Sequence, residues 1–189
     1  SIGLVGSEMC IRDSIIGASS EMAFHPANYN TILIGRNNLL LKTTNNGQTF
    51  ETLHDFNEEV MAIEIAWSNP DVIYVTTYPD WWGDKKIWKS TDAGFSWYEI
   101  TPSSTLLGGD NWVPFDITVS STDENILWAA RTSQYGGNYP NLDNRQVFKT
   151  TNGGNTWINI TSEELDGESI TNIIHQRGSN GGVYLGTRR

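Results

Sequence analysis

Short runs of Val, Ile, Leu, Trp, Tyr and Thr recur along this chain, separated by clusters of Asn, Asp, Pro, Ser and Gly. Such runs predict strands, and such clusters predict the turns between them. No stretch keeps the 3.6-residue apolar period of a helix. Strands are therefore expected in pairs: Glu21–His25 with Thr31–Gly35, Met61–Trp67 with Val72–Thr76, Phe115–Val119 with Ile126–Ala130, and Ser169–His175 with Val183–Gly186. The first three pairs are each followed by a third strand (Leu39–Thr43, Lys86–Ser90, Gln146–Thr150) and a fourth (Phe50–Leu53, Trp97–Ile100, Trp157–Ile160).

A repeated string joins the third strand to the fourth. It reads Lys-Thr-Thr-Asn-Asn-Gly-Gln-Thr-Phe at Lys42–Phe50, Lys-Ser-Thr-Asp-Ala-Gly-Phe-Ser-Trp at Lys89–Trp97 and Lys-Thr-Thr-Asn-Gly-Gly-Asn-Thr-Trp at Lys149–Trp157. We call it the box. Repetition on this scale marks an array of one supersecondary unit. Gly47, Gly94 and Gly154 fall where a tight hairpin needs positive φ. Asp92 can tie its loop down as an Asx-turn, and Asn45 and Asn152 retain the acceptor without the charge, so their boxes are expected to be weaker. Phe50, Trp97 and Trp157 are expected to fold back under the turn and bury aromatic surface.

The pattern Ser/Thr-x-Asp/Asn-x-Gly-x-Ser/Thr-Trp/Phe resembles the Asp-box, or BNR repeat, of sialidases, sortilin-type receptors, xyloglucanases and large secreted propellers of Bacteroidetes-type bacteria. The resemblance implies an all-β fold, a β-propeller fragment of about three and a half four-stranded blades. Blade limits are expected at 15–53, 54–101, 102–161 and, for the inner half of a fourth, 162–189. The boxes begin 47 and 60 residues apart at Lys42, Lys89 and Lys149, near the roughly 40–50 residues of blade repeats. Segment Leu4–Ser14 resembles a translated library-preparation adapter, so residues 1–14 are expected to be foreign and native sequence to begin near Ile15.

Setting that segment aside removes Cys10, the one cysteine of the chain. A disulfide framework or thiolate metal site is then excluded. Removing Glu8, Arg12 and Asp13 as well changes the formal charge from −10 to −9. A chain this acidic has no basic patch for nucleic acid. No apolar run approaches the roughly 20 residues that span a bilayer. His25, His54 and His175 lack metal-ligand spacing, so surface or loop roles and no metal or cofactor are expected.

Propeller topology sets the boxes on one end of the blades, with the first-to-second turns. The other end receives the second-to-third loops and the crossings between blades, and it holds the binding site in the resembling enzymes. Three long segments belong there: Tyr78–Asp84, Gly108–Pro114 and Gln134–Asp143. Trp81, Trp82, Trp112, Tyr135 and Tyr139 are candidate platforms for sugar rings or, alternatively, loop packing. Asp80, Asp84, Asp110 and Asp143 are weak candidates for the two carboxylates that glycoside hydrolysis requires. Arg36, Arg131 and Arg188 recur just past second strands; they can converge on an anion as sialidase arginines do, or stand as solvated rim residues. No Phe/Tyr-Arg-Ile-Pro string accompanies them.

The expected function is a secreted or cell-surface module that binds a polysaccharide or protein ligand. A glycoside hydrolase of the xyloglucanase or sialidase type is the first alternative. An assembly factor like the Asp-box propeller that serves photosystem II is the second.

Overall fold

The computed structural model describes residues 19–79, 84–107, 115–132, 146–165, 168–179 and 181–188. The adapter-like segment 1–14 lies outside them.

Three four-stranded antiparallel sheets follow one another in chain order. The first contains β1 (Ser19–Phe24), β2 (Ile32–Arg36), β3 (Leu39–Thr43) and β4 (Glu51–Asp55). The second contains β5 (Glu59–Ile65), β6 (Ile73–Tyr78), β7 (Lys86–Ser90) and β8 (Tyr98–Glu99). The third contains β9 (Phe115–Val119), β10 (Leu127–Arg131), β11 (Val147–Thr150) and β12 (Ile158–Asn159), and the last pair is β13 (Ser169–His175) with β14 (Val183–Arg188). Each sheet is a meander in which sequence neighbours pair. Among the described residues the only helical turn is a 3₁₀ segment at Glu163–Leu165, which the hydrophobic pattern did not predict.

Apolar residues on both faces of the strands explain the stacking. Successive side chains of a strand point to opposite faces, yet every residue of β10 is buried. A sheet covered on both sides must lie between two others, and the cores lie between sheets. One joins Leu33 and Leu40 to Val60, Ile63 and Val75. The next joins Tyr74 and Ile87 to Phe115, Ile117 and Phe148, and a third joins Trp128 and Val147 to Ile170 and Ile173.

The first strands lie side by side along the inner edge, cross-linked by side chains rather than a backbone ladder. The Asp116 carboxylate accepts the Ile173 N–H at 2.8 Å, and Thr118 Oγ1 accepts the His175 N–H at 3.0 Å. Sheets hinged along their first strands form successive blades around a common channel.

Candidate functional site

The box end is built for cohesion. In each hairpin one hydroxyl, from Thr43, Ser90 or Thr150, accepts the box glycine N–H at 2.9, 2.8 and 3.0 Å respectively. Gly47, Gly94 and Gly154 have φ of 79°, 95° and 92°, the left-handed region the sequence required. A backbone bond fastens each hairpin to the first-to-second turn of its own blade: Asn46 N–H to Asn30, Ala93 N–H to Asp71, Gly153 N–H to Asn125. Boxes and those turns thus share one end.

One expectation about the box needs correction, and it concerns Trp157. Asp92 accepts from the Ser96 hydroxyl at 2.6 Å, the Ser96 N–H at 2.8 Å and the Ser90 hydroxyl at 2.8 Å. Asn45 and Asn152 keep the equivalent bonds, because their amide NH₂ donates to Thr49 and Thr156, each at 2.8 Å, where the carboxylate accepts. The Asn boxes therefore keep the contacts and lose only the charge. The box aromatics are half-buried. Phe50 packs on the cluster of Ile32, Ile34 and Leu41 in its own sheet, and Trp97 folds back to donate its indole N–H to the Gly94 carbonyl of its own turn at 3.0 Å. Both tryptophans also reach sideways. Trp97 packs on Phe56 and His54 of the preceding blade, with ring centroids at 5.0 and 5.8 Å. Trp157 donates its indole N–H to the Ile100 carbonyl of the preceding blade at 2.7 Å.

The Ser96 hydroxyl and N–H, with the Ser90 hydroxyl, hold the exposed Asp92 carboxyl down to about 2. A depressed pKa gives stability that is present above the ordinary 3.8 and lost as pH falls through 2. Asp92→Asn should remove that acid limb while leaving the melting temperature at pH 7 nearly unchanged, since the amide keeps the same partners in the other two boxes. Thermal scans at pH 7 and pH 2 check both halves.

The opposite end gathers the charged groups that terminate second strands and begin third ones. Lys86 Nζ meets Glu58 at 2.5 Å, and the same carboxylate accepts the Thr77 hydroxyl at 2.5 Å. Thr77 in turn accepts the Trp88 indole N–H at 3.0 Å. Hydrogen bonding to Glu58 pushes the Lys86 ammonium up, reinforced by the charges of Glu58, Glu99 and Asp84. Lys85 is fully buried, with its ammonium 3.7 Å from the centroid of Tyr78.

Arg131 is buried too, contrary to a solvated rim role; Nη1 donates to Gln146 Oε1 at 2.7 Å and to the Leu107 carbonyl at 3.3 Å. Arg36 is half-buried at the end of β2. Strand register aligns Arg36 with Thr77, Arg131 and Thr187. Arg188 stands one position further on. A one-residue offset turns a side chain to the other face, so Arg188 does not belong to the same radial set.

Of the residues singled out at this end, Asp84, Arg36, Arg131 and Arg188 fall within the described residues, and Asp84 and Arg188 are exposed. Asp80, Trp81, Trp82, Asp110, Trp112, Tyr135, Tyr139 and Asp143 lie outside them.

A group that sequence reasoning missed lines the channel. Glu64 on β5 feels the charges of Asp116 on β9 and Glu21 on β1, and Glu21 feels that of Asp116. Burial pushes the Glu64 carboxyl up to about 8, helped by the charges of Asp116 and Glu21 and opposed by Arg177. Asp116 is raised by burial, against the pull of its bonds from the Ile173 and Ile117 N–H groups. Burial first, then Asp116, raises Glu21. His175, expected at the surface, is buried and stacks on Trp128 at 5.2 Å. Glu64 and Asp116 each stand between two buried apolar residues of a first strand, Ile63 and Ile65 or Phe115 and Ile117, whereas Glu21 is exposed. Among the described residues no His, Cys, Asp and Glu group could hold a metal ion, and no helix is long and apolar enough to cross a membrane.

No family model matches the chain, and neither does any curated protein. Solved structures do. An ancestral GH74 enzyme superposes with a TM-score of 0.67 at 18% identity, over 92% of this chain and 23% of its own. The GH74 xyloglucanase of Xanthomonas campestris gives 0.57 at 16%, over 77% and 22%. YCF48 from Cyanidioschyzon merolae gives 0.58 at 18%, over 89% and 50%. YCF48 bound to D1 peptide gives 0.52 at 15%, over 88% and 45%. The fold is that of a β-propeller. Among the described residues there are three four-stranded blades and two strands of a fourth, and the chain spans under a quarter of the GH74 structures and about half of YCF48.

Proposed function

We propose that this propeller segment belongs to a ligand-binding module whose ligand, a polysaccharide, docks on the end opposite the boxes. The observation that carries the reading is the division of labour between the two ends. Box residues are consumed in tying hairpins and blades together. At the other end, the pairs Lys86–Glu58 and Arg131–Gln146 fix strand ends next in sequence to the segments carrying Trp81 and Trp82 and Tyr135 and Tyr139. Leu107, bonded to Arg131, precedes the segment carrying Trp112. Rigid strand ends carrying aromatic loops suit recognition. Arg36 and Arg131 are proposed to support those loops and, through them, the ligand. The strings at Lys42, Lys89 and Lys149 are read as Asp-boxes, and the module as secreted or cell-surface.

A protein ligand is the second reading, favoured by the peptide-bound YCF48 neighbour. The GH74 neighbours keep glycoside hydrolysis as an alternative, through Asp80, Asp84, Asp110 and Asp143. Trp81→Ala and Tyr135→Ala should each weaken polysaccharide binding by about 1–2 kcal/mol, the scale of an ordinary hot spot, with an unchanged melting temperature. The corresponding Asp→Asn variants should keep their affinity, and no reducing sugar should be released. Turnover that disappears in those variants while substrate still binds would establish the hydrolase instead.

A further inference from the structure

The channel holds a cavity at its box end that the loop-end reading does not use. It has a volume of about 290 Å³ and is lined by Glu64, Trp67, Thr118, Ser121, His175 and Arg177 among others. Its roof is an arch. Arg177, in the turn after β13, places its guanidinium 3.8 Å from the ring centroid of Trp67, in the turn after β5. That contact joins the second blade to the fourth across the inner strand of the third, so all parts of the cavity come from consecutive units of this chain.

We propose that this cavity is a binding site for a small carboxylate-bearing molecule, with Arg177 as its clamp and Glu64 as the second contact.

Arg177 is fixed over an indole face, which leaves its planar set of N–H donors for an acceptor; it makes no hydrogen bond among the described residues. Guanidinium and carboxylate match as a bidentate pair. Glu64 lines the same cavity, yet the ion pair found within 4 Å among the described residues is Lys86–Glu58, not Arg177–Glu64. The space between them is where a ligand carboxylate fits. Held up to about 8, Glu64 is a carboxylic acid at neutral pH and can donate to that carboxylate.

The other polar groups nearby have partners. Asp116 on β9 accepts two backbone N–H bonds, from Ile173 at 2.8 Å and Ile117 at 3.0 Å. His175 on β13 is bound at Nδ1 to the Gly182 carbonyl at 3.0 Å and at Nε2 to Ser121 Oγ at 3.4 Å. Glu21 on β1 is exposed and adds negative charge from a distance. One fixed cation amid these carboxylates favours a monoanion over a phosphate dianion.

The carboxylate could come from a sugar acid or from a peptide C-terminus. The test is a titration of the full chain, followed by the indole and guanidinium N–H signals of Trp67 and Arg177 in ¹H–¹⁵N spectra. The probes are glucuronate and an acetylated tripeptide acid, with glucose and the tripeptide amide as neutral controls. At least one acid should shift both signals saturably at pH 6.5 while its neutral control does not, and which acid does so identifies the source. Arg177→Met, at an exposed position, should melt like the parent and lose at least tenfold in affinity. Binding should weaken as pH rises through 8, and Glu64→Gln should abolish that dependence. Acids that shift the signals no more than their neutral controls would overturn the proposal, as would binding that survives Arg177→Met or strengthens with pH.

Discussion

Glu64→Gln should stabilise the protein at pH 8 and flatten the dependence of its stability on pH. The folded chain holds the Glu64 carboxyl up at about 8, against an ordinary value of 4.5. Below 4.5 both folded and unfolded states carry the proton, and burial costs nothing through this group. Between the two values the unfolded state loses its proton first, so stability falls as pH rises and levels off above 8. Each unit of separation corresponds to about 1.36 kcal/mol, and a partly accessible carboxyl realises part of that, so a few kcal/mol are at stake. Glutamine keeps the shape and cannot ionise. Urea midpoints taken between pH 4 and pH 9 should slope downward for the parent and much less for the variant, with a residual slope from Asp116 and Glu21. Parallel curves would show that the Glu64 carboxyl ionises freely in the folded chain.

Trp97→Ala should cost about 2–4 kcal/mol, the lower part of the range for truncating a large aromatic because the ring is half-buried. Three contacts are lost: the edge-on packing against Phe56 at 5.0 Å, the contact with His54 at 5.8 Å, and the indole N–H bond to the Gly94 carbonyl at 3.0 Å. Two of these cross to the preceding blade, so unfolding should begin by separation of the first and second blades. Gly94 reports on the same seam: a Cβ there would stand 2.5 Å from the Leu53 side chain, at a φ of 95°. Thermal denaturation of Trp97→Ala measures the effect. A loss under about 1 kcal/mol would mean that the box aromatic is not what binds one blade to the next.

The blades were legible because their signals are local. Phe115–Val119, Ser169–His175, Leu39–Thr43 and Lys86–Ser90 match the observed strands end to end, since alternation and turn residues lie within a few positions of one another. Met61–Trp67 runs two residues late against Glu59–Ile65: Ala66 and Trp67 continue the apolar run, but the chain has already turned toward Asn69. The partners of box residues were not legible. Whether Trp157 turns under its own hairpin or toward Ile100 is decided by the neighbouring blade, which sequence spacing does not encode. The same holds for Arg131, whose charge suggested a rim and whose surroundings, Gln146 and Leu107, bury it. The channel carboxylates escaped notice because Glu21, Glu64 and Asp116 are scattered along the chain and meet only when first strands converge. The aromatic segments are prominent in the sequence, and the described strands that flank them end opposite the boxes.

The account turns on which end of the propeller meets its ligand. Hydrogen–deuterium exchange with and without a bound neutral polysaccharide reads this directly. Protection should appear at Thr77–Tyr78, Lys85–Lys86, Arg131–Thr132 and Gln146, the described residues nearest the long loops, while the hairpins at 44–48, 91–95 and 151–155 exchange as before. Protection confined to those hairpins, with the loop end unchanged, would contradict it.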